Sequence, residues 1–466
     1  MAEYEWNLDL ENLVKDLSGI VGEKWVITQR EFMESYLRDE TPDALRPKPA
    51  ENLILVKPSS SEEVSAILKL ASSRKTPVFP VGGRTGLVGA AVPTKPGIIL
   101  SLERMNKIEI DGENMMAVAE AGATLADLIK AADEANLFFP PHPGDEGAQI
   151  GGLIATNAGG SRAVKYGVMR NYVKGLEVVL PTGEIMSLGG KLLKNNTGYD
   201  LMQLIIGSEG TLCVITKAII KLFPKSKSMV TLIVPFNKRS DALKAVPEIL
   251  RSGAMPLAIE YVQIREIEEA ARHLNEKWPV EKGFAQLIII LDGTSQEEVL
   301  LKCEEISKIC EANNAMDIML AETSEEQDRI LRIRSNIYTA LKPHMIDILD
   351  VTVPPSSLEK LMDEVDSIAK KYEAYLPAYG HAGDGNLHVH IMKDEHMNLK
   401  TAEKMKEEIY RVAIALGGVI TGEHGVGSLR IKNLSLALSK KHIEIMKRIK
   451  KIFDPNNILN PDKVLP

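Results

Sequence analysis

Between residues 47 and 225, short apolar runs alternate with polar or glycine-rich stretches. NLILV at 52–56, PVFPV at 77–81, GIILSL at 97–102 and GLEVVL at 175–180 read as strands, being short and β-prone. Between the first two lies SSSEEVSAILKLASSRK. Its Ser59 to Ser61, followed by Glu62 and Glu63, form a helix N-terminus, and Val64, Ile67, Leu68 and Ala71 recur at helical spacing. The order is strand, helix, strand, glycine loop. From 226 to 420 glycine thins out. Apolar strands such as MVTLIVPF (229–236) and FAQLIIIL (284–291) alternate there with charged helices such as SQEEVLLKCEEISKICEA (295–312). The stretch 421–466 opens glycine-rich and ends in a charged helix and a Pro/Asn-rich tail. The pattern predicts a first domain over 1–225, a second over 226–420, and a C-terminal segment, 421–466, that packs back on the first.

Composition agrees with more than one domain. The chain has 466 residues, enough for two or three domains at roughly 100–200 residues each. Its 56 basic and 64 acidic residues leave a net charge of −8, which gives it no electrostatic reason to seek nucleic acid. The three cysteines, Cys213, Cys303 and Cys310, form no C-x-x-C pair. An odd, sparse set argues against disulfide staples and an iron–sulfur cluster, and for a reducing compartment. The start, MAEYEWNLDLENLV, is acidic and interrupted by polar residues, unlike a signal peptide. Apolar runs such as Leu287 to Leu291 are far too short to span a bilayer. A cytoplasmic protein with no transmembrane segment is expected.

The glycine loop Pro80-Val81-Gly82-Gly83-Arg84-Thr85-Gly86-Leu87-Val88-Gly89 follows a strand. Backbone without side chains lets N–H groups approach a phosphate closely. The loop is not a Rossmann fingerprint, because AAVPTKPGIILSL follows it and opens no helix. It is not a Walker loop, because Gly-Lys-Ser/Thr is absent. Four glycines within residues 82–89 exceed what a plain turn needs. A second cluster, PPHPGDEGAQIGGLIATNAGG at 140–160, is built of small residues, which suits a flat cofactor or a close backbone crossing. A third piece, with Gly198-Tyr199-Asp200 and Ile206 to Thr211, repeats the style.

Nine histidines occur, and His381, His388 and His390 fall within ten positions. His424 follows Glu423 in TGEHGVG. Imidazole and carboxylate are the usual ligands for Zn²⁺, Mn²⁺ or Fe²⁺. His381 and His388 flank Gly383-Asp384-Gly385-Asn386, a turn signal. A strand, tight turn and strand would bring them together, with His388 and His390 on one face. Spacing alone fixes neither the metal nor a meeting between 381–390 and 423–424.

PVGGRTGLVGAAVP, PPHPGDEGAQIGGLIATNAGG, VKYGVMRNYVKGLEVVLPTGE and TGYDLMQLIIGSEGTLCVITKA together resemble the FAD-binding half of the vanillyl-alcohol oxidase superfamily. Within it the chain is most similar to the D-lactate dehydrogenase and glycolate oxidase large-subunit group, over roughly residues 40–466. The resemblance implies an α+β fold: a two-lobed FAD-binding domain plus an α+β cap domain with an antiparallel sheet. It implies that Val81, Gly82, Gly83, Arg84, Thr85 and Gly86, with Gly89 adjoining, hold the FAD diphosphate. Pro141, Gly144, Gly151, Gly152, Ala155, Asn157 and Gly159 would line the flavin side, and Gly210, Val214 and Ile215 the adenine end. Arg84 stands where many members carry glycine or a flavin-linking histidine, so the FAD is expected to be non-covalent. Cys213 replaces a common glycine.

The same resemblance implies a divalent metal (Zn, Mn or Fe) on His381, His388 and Glu423, with His424 beside the substrate hydroxyl as general base. Arg334, in LRIRSNIY, would grip the substrate carboxylate, a task suited to a bidentate, permanently charged guanidinium. His390 and Asn386 are expected to face the substrate; His390 stands where 2-hydroxyglutarate-type relatives carry asparagine. Leu331 replaces a common tryptophan, and Arg430 a common lysine. Ile348 stands where 2-hydroxyglutarate-type relatives place a lysine for the distal carboxylate, which favours lactate or another short monocarboxylate. The implied partner is an electron-transfer flavoprotein or another redox subunit. Two readings compete from other classes. A metal-dependent hydrolase leaves three glycine clusters unexplained. A nucleotide-binding subunit leaves the histidines unexplained.

Overall fold

The computed structural model describes residues 10–466; the part of the start that falls in residues 1–9 lies outside the described residues. A four-stranded sheet forms the first lobe, in the order Val26–Ile27, Leu53–Val56, Gly97–Ser101, Val78–Val81. Its three longer strands are parallel. Helix Ser61–Arg74 makes the crossover. The Ser60 side chain caps it by accepting from the Glu63 N–H, and Val64, Ile67, Leu68 and Ala71 form its buried face. After Val81 the chain enters the glycine loop, with no helix before strand Gly97–Ser101.

The second lobe is a five-stranded antiparallel sheet, ordered Ile108–Asp111, Met116–Glu120, Val214–Lys221, Val173–Val179, Ile185–Gly189. Against it packs helix Ile150–Thr156, IGGLIAT. Two glycines disfavour a helix here by about 1 kcal/mol each relative to alanine, yet packing wins. A Cβ on Gly151 would come within 2.8 Å of the Ala121 Cβ, so the helix lies closer to the sheet than any larger residue would allow.

A seven-stranded sheet forms the other half, in the order Met319–Ala321, Ser228–Phe236, Ala285–Gly293, Ala258–Gln263, Ala378–His381, Asn386–Met392, Met345–Thr352. Every pairing is antiparallel. Helices Arg239–Arg251, Gln296–Ala312, Leu358–Tyr372 and Leu399–Ala415 share a core with one face, which takes Leu287, Ile289 and Leu291. Helices Ile264–His273 and Ser324–Ser335 cover the other, which takes Ile288. Cover on both faces explains why this strand reads as an unbroken apolar run.

The tail returns to the first lobe. Val78 donates its N–H to the Ile458 carbonyl at 2.8 Å and accepts from Asn460 N–H at 2.8 Å. Ile458 and Leu459 are fully buried in the first core. No helix among the described residues is long and apolar enough to cross a membrane. The α+β class expected from the resemblance is the one observed.

Candidate active site

The glycine clusters meet around a cavity of about 250 Å³. Val81, Gly82, Gly83, Arg84, Thr85 and Gly86 line it from the first loop. Gly151, Gly152, Ala155 and Gly159 line it from the second cluster, and Gly210, Val214 and Ile215 from the third. Small size is required at Gly83, where a Cβ would lie 2.5 Å from the Gly147 carbonyl oxygen and 2.9 Å from the Ala148 Cα. Arg84 adopts a left-handed φ of 62°, which explains why glycine suits its position, and its guanidinium stacks 4.4 Å over the Tyr36 ring. Gly89, Pro141, Gly144 and Asn157 do not line the cavity. Gly89 hydrogen-bonds through its N–H to the Thr41 hydroxyl, and Asn157 caps its helix and accepts from Arg170 N–H. Pro141 is buried and Gly144 exposed. Gln149, Ser208, Glu209 and Asn460 also form the wall, and the sequence reading missed them. Cys213 lines it too, and burial pushes its thiol pKa well up.

Glu423 and His424 also line the cavity. A Cβ on Gly159 would lie 2.9 Å from Glu423 Oε2, so the glycine cluster abuts the histidine constellation directly. Strands Ala378–His381 and Asn386–Met392 form a hairpin that pairs His381 with Asn386. It projects His388 and His390 from one face, both packed on Tyr379. His381 Nε2 and His388 Nε2 each lie 3.4 Å from Glu423 Oε1, and His424 Nε2 lies 4.0 Å from it. His388 and His424 stack at 4.8 Å. Three imidazoles from two remote segments therefore converge on one carboxylate oxygen.

Behind these rings stand two carboxylates that the sequence reading did not single out. Glu260, 2% exposed in a strand of otherwise apolar neighbours, accepts from His381 Nδ1 at 2.6 Å and pairs with Arg334. Asp350, 3% exposed, lies on the Nδ1 side of His388 (3.6 Å) and His424 (4.0 Å). Its Oδ2 accepts from the N–H groups of Gly422, Glu423 and His424 at 2.8–2.9 Å and from the Thr421 hydroxyl. Its Oδ1 accepts from Asn386 Nδ2. Donor atoms of Asp350, His388, Glu423 and His424 lie within 4.8 Å of one another, a grouping that omits His381. Both Asp350 oxygens already accept hydrogen bonds, and His381 is held at Nδ1 by Glu260. A single polar signal, a charged residue interrupting an apolar strand, could have found Glu260 and Asp350.

Glu260 and Asp350 are buried and Glu423 half-buried around the rings, and buried charge needs a counter-charge, supplied in part by Arg334 and His381 against Glu260. Burial works against ionisation of Glu423, but His381 and His388 hold its carboxyl well below the usual range. Burial lowers the pKa of His424, leaving an imidazole free to accept a proton. Burial also drives His390 well below the usual histidine range. Buried polar atoms normally find partners. Here Arg334 Nε, Asn386 Oδ1, His388 Nδ1, both ring nitrogens of His390 and His424 Nδ1 have no hydrogen-bond partner. Such a concentration fits a place for a polar ligand.

Arg334 sits on helix Ser324–Ser335, its guanidinium 4.8 Å over the Tyr379 ring. Ile348 pairs across the sheet with His390, so both point to the same face, and Ile348 is buried. Arg430 makes a buried bidentate pair with Asp347 at 2.8 and 2.6 Å, outside the cluster.

The chain matches the family described as FAD linked oxidases, C-terminal domain, over residues 225–464, and the FAD binding domain family over 53–189. It belongs to the FAD-linked oxidases, and the match over 53–189 is to their FAD-binding domain. It is 45% identical over 432 residues to a D-lactate dehydrogenase of Archaeoglobus fulgidus, covering 93% of this chain and 96% of the relative. It is 35% identical to a D-lactate dehydrogenase of Anaerostipes hadrus, over 100% and 99% of the two chains. Glycolate oxidase subunit GlcD of Bacillus subtilis is 39% identical, over 88% of each. Among solved structures, p-cresol methylhydroxylase with substrate bound superposes with a TM-score of 0.78 at 19% identity, over 97% of this chain and 96% of that one. Alkyldihydroxyacetonephosphate synthase gives 0.74 at 20%, over 97% and 84%. These two show the shared fold, that of the vanillyl-alcohol-oxidase-type FAD enzymes. The chain is thus an FAD-dependent oxidoreductase of the 2-hydroxy acid dehydrogenase group.

Proposed function

We propose that this oxidoreductase converts D-lactate to pyruvate with the help of a divalent metal, and passes the electrons to an electron-transfer flavoprotein or another redox subunit. The observation that carries the reading is the junction of the FAD cavity with the His381–His388–Glu423–His424 cluster. FAD, when bound, supplies the acceptor for the substrate hydride. His381, His388 and Glu423 would hold the metal, whose chemistry is to acidify the substrate hydroxyl. Zn, Mn or Fe suits that donor set.

Arg334 binds and orients the carboxylate. Glu260 holds both Arg334 and the Nδ1 side of His381, so one buried carboxylate fixes two parts of the site. His424 takes the hydroxyl proton at Nε2, its Nδ1 side facing Asp350. Tyr379 stacks on His390, Ile348 pairs with His390 across the sheet, and all three are buried. Ile348 offers no cation to a second carboxylate, so D-2-hydroxyglutarate fits poorly. Glycolate, lacking only the methyl group, is the second substrate the 39%-identical relative supports. The loop 80–89 contains neither cysteine nor histidine, which supports non-covalent FAD. Three free, buried cysteines support residence in the reducing cytoplasm.

The test is anaerobic mixing of the flavin-loaded protein with D-lactate, L-lactate, glycolate and D-2-hydroxyglutarate. D-lactate is expected to bleach the flavin fastest. No bleaching by any of the four would overturn the assignment, and fastest bleaching by D-2-hydroxyglutarate would overturn the role given to Ile348.

A further inference from the structure

We infer that Glu209 is a positioning residue for the proposed reaction: rooted in the flavin cavity, its carboxylate fixes the backbone of the loop that carries Glu423 and His424. The inference rests on the role given to that loop above. Ser208, Glu209 and Gly210 form one stretch of the cavity wall. Glu209 adopts a left-handed φ of 52°, uncommon for a residue with a side chain. Its backbone is held on both sides, the N–H donating to the Ala155 carbonyl at 2.7 Å and the carbonyl accepting from Asn460 Nδ2 at 2.8 Å. Ala155 and Asn460 are themselves wall residues.

From this anchor the side chain reaches the loop that opens the C-terminal segment. Its Oε1 accepts from the Val426 N–H at 2.7 Å, and its Oε2 from the Gly427 N–H at 2.8 Å. A Cβ on Gly425 would lie 2.8 Å from Oε1, and Gly425 has a φ of 85°, so only glycine fits beneath the carboxylate. Asp350 holds the N–H groups of Gly422, Glu423 and His424 from the sheet side. Two buried carboxylates from opposite halves of the molecule therefore grip residues 421–427, Asp350 holding Glu423 and His424 themselves and Glu209 the two residues just beyond Gly425. The GSEG and GEHGVG segments, separate in the chain, form one interlocked unit. Displacing a reacting group by about 1 Å can cost about 100-fold in rate, so the grip bears on catalysis as well as stability.

The test compares the wild type with Glu209→Gln and Gly425→Ala at full length, each loaded with FAD. Glu209→Gln replaces one acceptor oxygen with a donor that faces an N–H. Gly425→Ala pushes a methyl group onto the intact carboxylate, and serves if the first variant does not fold. Two readouts are taken, amide hydrogen exchange over residues 422–427 and the single-turnover rate of flavin reduction by D-lactate per bound FAD. The expected result is faster exchange confined to that loop, and a rate lower by about 10- to 100-fold, with dithionite reduction of the flavin unchanged. Unchanged loop exchange, or a rate per bound FAD within about threefold of wild type, overturns the inference. A wild type that no 2-hydroxy acid reduces overturns the proposed function instead, and the exchange measurement still decides whether Glu209 is the grip.

Discussion

The flavin cavity and the histidine cluster adjoin, yet they are built by opposite means. The cavity is made by leaving side chains out: Gly82, Gly83, Gly151, Gly152 and Gly159 bring backbone to its wall. The cluster is made by putting charge in: Glu260 and Asp350, buried, and Glu423, half-buried, stand around three imidazoles. A wall of backbone recognises a cofactor by shape and N–H groups and does little chemistry. A ring of charge does chemistry but needs exact support from behind, supplied here by Glu260 and Asp350. Damage on the two sides should therefore show different symptoms.

The largest effect is expected at His424. His424→Ala should slow flavin reduction by about 10²- to 10⁴-fold, the usual worth of a general base, while FAD content stays at the wild-type level. Stopped-flow bleaching at matched flavin absorbance checks this, and loss of FAD with an unchanged rate per flavin would merge the two regions. Next comes a control outside both. Arg430→Met strands the buried Asp347 carboxylate, for which Lys406 at 3.5 Å compensates only in part. A loss of about 3 kcal/mol is expected in denaturant unfolding. Gly83→Ala should show the cavity's symptom, because the new methyl group meets backbone that cannot swing away. Overpacking of this kind costs about 1–3 kcal/mol, so FAD should bind about 10- to 100-fold more weakly by titration of the apoprotein. The reduction rate per bound FAD should not change.

The smallest effect is a pH dependence. Burial pushes the Lys463 ammonium down to about 8, although Asp39 is nearby, and its Nζ donates to the Gly89 carbonyl beside the cavity loop. Between that value and the ordinary 10.5 the unfolded chain binds more proton than the folded one. Stability from this group therefore rises with pH over that window. Comparison of Lys463→Met with wild type at pH 8 and pH 10 should show the wild type gaining about 2 kcal/mol relative to the variant. An opposite slope would place the lysine's charge in a favourable site.

The two modes of construction also explain what was legible in the sequence. A cavity of omitted side chains is visible as local composition, and Val81 to Gly86, Gly151, Gly152 and Gly159 all came to the wall. The strand–turn–strand at His381 to His388 was legible from its turn residues. The convergence of Glu423 and His424 on that hairpin was not, because spacing along the chain says nothing about a contact between segments more than 30 residues apart. Family resemblance supplied it. Glu260, Asp350 and Glu209 escaped because each is an acid whose role lies in partners 36 to 217 positions away. The seven-residue helix Ile150–Thr156 escaped because its glycines argue against any helix.

The central claim is that cavity and cluster are one site, with the cluster acting on what the cavity's flavin oxidises. Glu423→Gln tests it most directly, since Glu423 Oε1 is the atom on which the three imidazoles converge. The measurement is single-turnover reduction by D-lactate at FAD content equal to wild type. The account predicts a yellow protein, reducible by dithionite, whose flavin D-lactate no longer bleaches, with metal chelation of the wild type giving the same result. A Glu423→Gln protein that D-lactate bleaches at the wild-type rate would contradict it.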